Sequence, residues 1–187
     1  MEEWQEQTDE HVMAAGQANE PGAFEALYAR YRVRLYHFIR RFVGNQSSAE
    51  DIFQETFLRI YHERHRYEPR VAVSTWFYTI ARNLCFHEIE KQSRRQPAPA
   101  NATDMATVQA SPTEDPLSRL EAAETAARIA RAISLLPPGE REVLILARYE
   151  GLPHRQIAAI VGKSEGAVRV ALSRALTALR QSLYAAR

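Results

Sequence analysis

From Gln96 to Pro116 the chain carries Pro97, Pro99, Pro112 and Pro116 among Ala, Ser, Thr and Asn, without apolar periodicity. Proline deletes a backbone donor and pushes the preceding residue out of helical space, so this stretch reads as an extended linker rather than as part of a core. The chain therefore has to fold as two modules, residues 1–96 and 117–187, joined by a flexible linker over 97–116. Each module must bury its own core, and cores of this size are only marginally self-sufficient.

On both sides of the linker the apolar residues recur at three- and four-residue steps, as in Phe24, Leu27, Tyr28, Tyr31, Leu35, Phe38, Ile39 and Phe42, and again in Ile52, Phe53, Phe57, Ile60 and Tyr61. That is helical spacing, and no segment alternates as a strand would. The reading is all-α, with helices near 8–18, 21–43, 48–66, 74–95, 116–135, 138–150, 153–161 and 164–184. Ser47 or Ser48, Ser74, Asp115-Pro116 and Ser164 supply start signals, and Gly44, Gly151 and Gly162 supply stops.

Composition narrows the function. One cysteine, Cys85, excludes a disulfide framework or a multi-thiolate metal site, and beside His87 it reads as buried packing. Seven glycines, none in a Gly-rich loop, argue against a nucleotide cradle. An acidic start and a longest apolar run of only Val143 to Ala147 predict neither a signal peptide nor a membrane span, hence a cytoplasmic protein without direct membrane insertion. The net charge of +1 hides a strong segregation. Residues 1–29 hold seven acidic and no basic side chains, 30–45 five Arg and no acid, 97–116 three acids and no base, and 151–187 six basic residues against one acidic. Nucleic acid responds to such local fields rather than to the total.

The run PHRQIAAIVGKSEGAVRVALSRALTALRQSL, Pro153 to Leu183, has the layout of a helix-turn-helix. Ile157, Ala158, Val161 and Val168 form the contact between its helices, and Gly162 makes the turn. At 100° per residue, Val168, Leu172, Ala175, Leu176, Leu179 and Leu183 fall on an inward stripe. Arg169, Val170, Ser173, Arg174, Thr177 and Arg180 fall on the outward one, a face with three Arg, two hydroxyls and no acid. Such a face suits phosphate contact and base reading in a major groove. Arg169 and Arg174 are the expected DNA contacts, Val170 and Ser173 tune sequence preference, and Arg155 and Lys163 meet phosphates, with Ser164 capping the helix start.

In the first module, Asp51, Gln54, Glu55 and Leu58 share a helix face, an acidic strip that is either an interface or dipole complementarity. The run STWFYTIARNLCFHEIEKQSRR sets aromatic residues beside Lys91, Arg94 and Arg95, a stacking and charge combination used on single-stranded nucleic acid, although Trp76 and Phe77 also suit a core. A helix-turn-helix repressor or activator remains open on these residues alone. An enzyme has little support, since the six His are scattered and no nucleophile is paired with a base.

Taken together, AFEALYARYRVRLYHF, Asp51-x-x-Gln54-Glu55-Thr56-Phe57, Trp76-x-Tyr78-x-Ile80-Ala81-Arg82-Asn83, Leu135-Leu136-Pro137 with Arg141-Glu142-Val143, and Gly166-Ala167-Val168-Arg169 with Arg174-Ala175 resemble the bacterial extracytoplasmic-function (ECF) sigma factors, the small two-domain class. The resemblance implies a non-enzymatic subunit without cofactor or metal that binds core RNA polymerase and promoter DNA. It implies that Asp51, Gln54, Glu55 and Leu58 dock on the beta-prime clamp. The loop Tyr67 to Val73 and the helix with Trp76, Tyr78, Arg82, Asn83, Lys91, Arg94 and Arg95 would melt the minus-ten element and capture a flipped base. Arg155, Lys163, Ser164, Arg169, Val170, Ser173 and Arg174 would read the minus-thirty-five element, with Leu135, Leu136, Val143 and Leu146 near the beta flap. The acidic linker would thread the polymerase cleft, and an anti-sigma factor would wedge between the modules or clasp them. Val170 and Ala171 stand where many relatives carry Ser and Arg.

Overall fold

The computed structural model describes residues 4–95 and 116–185, and the expected linker lies outside the described residues. It is all-α, with eight α-helices and no strand among the described residues: α1 Asp9–Gln17, α2 Ala23–Val43, α3 Gln46–Glu63, α4 Val73–Arg95, α5 Pro116–Ser134, α6 Pro138–Arg148, α7 His154–Val161 and α8 Glu165–Ala185. A 3₁₀ turn, Arg64–Arg66, follows α3.

Helices α1, α3 and α4 pack around the apolar face of α2, where Leu27, Tyr31, Leu35, Phe38, Ile39 and Phe42 are buried. Phe38 meets the Tyr78 ring edge-on at 5.3 Å and stacks on Phe42 at 5.9 Å, while Tyr28 meets Phe57 edge-on at 4.7 Å. Aromatic pairs of this kind add about 0.5–1.5 kcal/mol each beyond the area they bury. Cys85 is buried here, and burial pushes its thiol pKa up, in keeping with a packing role. In the second half, α8 packs against α5, α6 and α7 over Val143, Leu146, Ile157, Val161 and Val168.

The helix ends follow local chemistry, with two corrections to the expected caps. Ser164 caps α8, its Oγ accepting from the Ala167 N–H at 3.2 Å. Gly162 ends α7 at φ 67° and Gly44 ends α2 at φ 76°, left-handed conformations that cost glycine little. Helix α3, however, starts at Gln46 with Asn45 as its cap, the Oδ1 accepting from the Ser48 N–H at 3.0 Å, so neither Ser47 nor Ser48 caps it. Helix α4 starts at Val73, which puts Ser74 inside the first turn, where its hydroxyl instead accepts from Gln156 of α7 at 2.6 Å.

The halves meet along α2 and α4 on one side and α5, α6 and α7 on the other. Ionisable groups concentrate at this junction. Arg82 of α4 donates to both carboxylate oxygens of Glu142 on α6, at 2.5 and 3.4 Å. The Tyr78 hydroxyl donates to Glu150, whose carboxylate also lies 3.4 Å from Arg34 and whose carbonyl accepts from it at 3.1 Å. Arg141 donates to the Phe42 carbonyl at 2.7 Å and to the carbonyls of Ser134 and Leu136, tying the end of α5 to the end of α2. Arg41 lies 4.3 Å over the Tyr149 ring.

Candidate nucleic-acid interface

Helices α7 and α8 place a basic face in solvent. Ile157, Ala158, Ile160 and Val161 are buried on one side of the turn and Val168 on the other, which fixes how α8 leaves the module. Arg169, Val170, Ser173, Arg174, Thr177 and Arg180 are then all exposed, as are Arg155, Lys163 and Ser164. None of the ion pairs among the described residues uses Arg169, Arg174 or Arg180, so their charge is undivided toward a ligand. The Thr177 hydroxyl is spent on the Ser173 carbonyl at 2.9 Å, leaving Ser173 as the hydroxyl free to face outward. The inward stripe is narrower than its sequence pattern: Val168 and Ala175 are fully buried, Leu172, Leu179 and Leu183 are half-buried, and Leu176 is exposed at the edge of the stripe, where the projection sets it beside Arg169 and Arg180.

Helix α4 behaves differently along its length. Asn83, Lys91 and Arg94 are exposed, and Arg95 ends the helix with its side chain outside the described residues. Trp76 is half-buried against the Tyr67 ring at 5.5 Å, and Tyr67 is itself buried with its hydroxyl donating to the Val71 carbonyl at 2.8 Å. Phe77 lies in the core. Tyr78 is 0% exposed and Arg82 is half-buried, so in this arrangement both expected minus-ten residues face the other half of the molecule rather than solvent. Burial, reinforced by Glu150, pushes the Tyr78 hydroxyl pKa up, so it stays protonated and donates. Burial likewise pushes the Glu142 carboxyl up, opposed by the Arg82 guanidinium.

The α3 strip is open. Asp51, Gln54 and Leu58 are exposed, Leu58 by 55%, and Glu55 pairs with Arg59 one turn on at 2.8 Å. Such an exposed pair contributes little stability, which leaves the strip available without cost to the fold. Of the four residues expected near a flap surface, only Leu135 is exposed, by 72%, whereas Leu136, Val143 and Leu146 are buried core. The carboxylates that occupy Arg82 and Tyr78 are Glu142, read from sequence only within the Arg141-Glu142-Val143 run, and Glu150, which lies in none of the sequence motifs. The available signal was the position of Glu142 on one face with Ile145 and Leu146, a charge within a core-facing stripe.

A two-part helical protein with a helix-turn-helix and an exposed, acid-free basic face has the architecture of a DNA-binding transcription protein. Comparison with known proteins makes this specific. Residues 27–95 match the model for Sigma-70 region 2 and residues 126–179 that for Sigma-70 region 4. The RNA polymerase sigma factor CarQ of Myxococcus xanthus is 35% identical over 86% of this chain and 89% of its own length. The ECF RNA polymerase sigma factor SigL of Mycobacterium tuberculosis is 31% identical over 89% of this chain and 92% of its own. Among solved structures, CnrH in complex with the cytosolic domain of CnrY superposes with a TM-score of 0.72 at 25% identity, covering 96% of this chain and 99% of that one. The chain belongs to the ECF class of RNA polymerase sigma factors, proteins that direct promoter-specific transcription initiation.

Proposed function

We propose that the work is divided so that residues 1–96 bind core polymerase and melt the minus-ten element, residues 97–116 link, and residues 117–187 read the minus-thirty-five element. The observation that carries this division is the exposed, acid-free face of α8 opposite a buried packing stripe: Arg155, Lys163 and Ser164 approach phosphates while Arg169, Val170, Ser173 and Arg174 reach base edges. The open α3 strip of Asp51, Gln54, Glu55 and Leu58 is the surface for the beta-prime clamp. On α4 and the loop before it, Tyr67, Trp76, Tyr78, Arg82, Asn83, Lys91, Arg94 and Arg95 serve the minus-ten strand, and for Tyr78 and Arg82 this requires parting from Glu150 and Glu142. Leu135 is the exposed apolar contact for the beta flap. The protein contributes binding energy rather than turnover, acts in the cytoplasm with the polymerase, and is held by a small anti-sigma partner; CnrH, which it resembles, is solved in complex with the cytosolic domain of CnrY.

Run-off transcription on fragmented genomic DNA with core polymerase tests the proposal. New transcripts that depend on the protein and share two upstream elements support the division of labour. Specific duplex binding by the protein alone, without transcripts, overturns it. Charge reversal at Asp51 and Glu55 should weaken core binding at an unchanged melting temperature, and unchanged affinity would remove the α3 strip from the interface. Failure to recover any small partner from the native host would remove the anti-sigma element.

A further inference from the structure

Helix α1 lies ahead of the residues matched to region 2, yet it holds the loop that leads into α4. The Gln17 side-chain amide spends both hydrogens on that loop, donating to the Arg64 carbonyl at 2.8 Å and the Tyr67 carbonyl at 2.9 Å. These carbonyls flank the 3₁₀ turn Arg64–Arg66. The tie is returned by Arg64, buried in a position where an unpaired charge would be costly. Its Nε donates to the Gly16 carbonyl at 3.1 Å, and its two Nη atoms donate to Asn19 Oδ1 and the Tyr61 carbonyl, each at 2.5 Å.

Gly16 and Asn19 are placed for this by the end of α1. Asn19 sits at φ 60°, its N–H bonding the Gly16 carbonyl at 3.2 Å while the Glu20 N–H bonds the Ala15 carbonyl at 3.0 Å. That is a Schellman ending with Asn in the left-handed position. At the far end of the loop, Glu10 of α1 accepts from the Val73 N–H at 3.4 Å. The segment is thus tied at residues 64, 67 and 73, with Glu68 to Ala72 left exposed and Tyr67 set against Trp76.

We propose that Gln17 and Arg64 are positioning residues that fix the exposed 68–72 tip and the Tyr67–Trp76 pair in register, and thereby set which bases the minus-ten site accepts. This rests on the assignment of the loop and α4 to the minus-ten strand made above. Gln17 lies outside the aromatic core of α2, α3 and α4, and Arg64 meets it only at its exposed rim, where the guanidinium lies 4.1 Å over the Tyr61 ring, whereas all five donated bonds fasten the loop to α1 and the turn that ends it or to the end of α3. Their loss loosens the tip in preference to the module. A site that reads a base needs its contacts held to within a fraction of an ångström, and side chains on an untied loop do not meet that requirement.

The test uses the full chain with core polymerase on promoters that the wild-type protein selects from a randomised library. Gln17→Leu removes both donors at similar volume, and Arg64→Lys keeps the charge but loses the fork. Each should lower transcription from duplex templates by roughly tenfold, the scale of one net hydrogen bond. Each should flatten base preference in the minus-ten element by a similar factor, with core affinity and minus-thirty-five preference unchanged. A template pre-opened across the minus-ten element should restore output while preference stays flat. Wild-type base preference in both variants, at wild-type helicity and melting temperature, would overturn the proposal. So would a loss that extends equally to core affinity and to the pre-opened template, because that marks general unfolding. Wild-type selection of sequences with no preferred bases near the start site would overturn the loop assignment itself, and it is seen before any variant is compared.

Discussion

Helices α4 and α8 each carry arginines and polar residues expected to meet DNA, but only α8 keeps all of them in solvent. On α8, Arg169, Ser173 and Arg174 are exposed and outside the ion pairs of the described residues. On α4 the equivalent positions split: Asn83, Lys91 and Arg94 are open, while Tyr78 and Arg82 are occupied by Glu150 and Glu142 of the other half. The carboxylate of Glu142 is 1% exposed and that of Glu150 4% exposed, so these are buried contacts rather than incidental surface pairs. An outward-facing stripe in a sequence is therefore outward only from its own module, and a neighbouring module can cover it.

The largest expected effect comes from breaking the covered face. Arg82→Met leaves Glu142 buried without its cation, which costs about 3 kcal/mol by the usual penalty for stranding one partner of a buried pair. The cost has a pH signature. With its folded-state pKa raised by burial and no longer held down by Arg82, Glu142 binds a proton more readily folded than unfolded. The destabilisation is therefore full above the raised folded value and disappears as pH falls through it toward the ordinary 4.5. Urea unfolding at pH 8 and pH 5.5 checks this, and equal losses at both would show that Glu142 is not the group left unpaired.

On the open face, Arg169→Ala should cost about 1–3 kcal/mol on the cognate minus-thirty-five sequence if it reads a base, with little change in stability. A uniform loss on all sequences would make it a phosphate contact. The smallest effect sharpens the junction: Tyr78→Phe removes one hydroxyl donor from Glu150 but leaves Arg34 beside it, so about 1 kcal/mol should be lost. A loss several times larger would mean that the hydroxyl, not the ion pair, organises that corner.

Much of the fold was legible because it depends on near neighbours. The three- and four-residue apolar steps gave all eight helices, Ser164 and Gly162 gave the turn before α8, and the α8 projection placed its exposed face correctly. The misses have specific causes. Asn45 outcompetes Ser47 and Ser48 as the cap of α3 because its side chain reaches the Ser48 N–H from outside the helix. Leu136, Val143 and Leu146 turned inward because α6 is wrapped by α8 and α7, which a pattern of apolar residues cannot distinguish from a docking surface.

What the sequence determined by itself was the division into two helical modules, the position of each helix, the basic exposed face of α8 and the acidic strip of α3. All of these follow from side-chain periodicity and capping within about one helical turn. Only the tertiary structure decided that Tyr78 and Arg82 face Glu150 and Glu142, and that Gln17 and Arg64 tie α1 to the loop before α4. Those contacts join residues 47 to 72 positions apart, so they are settled by which faces pack together and which buried polar groups find partners, information that no local window of the chain contains.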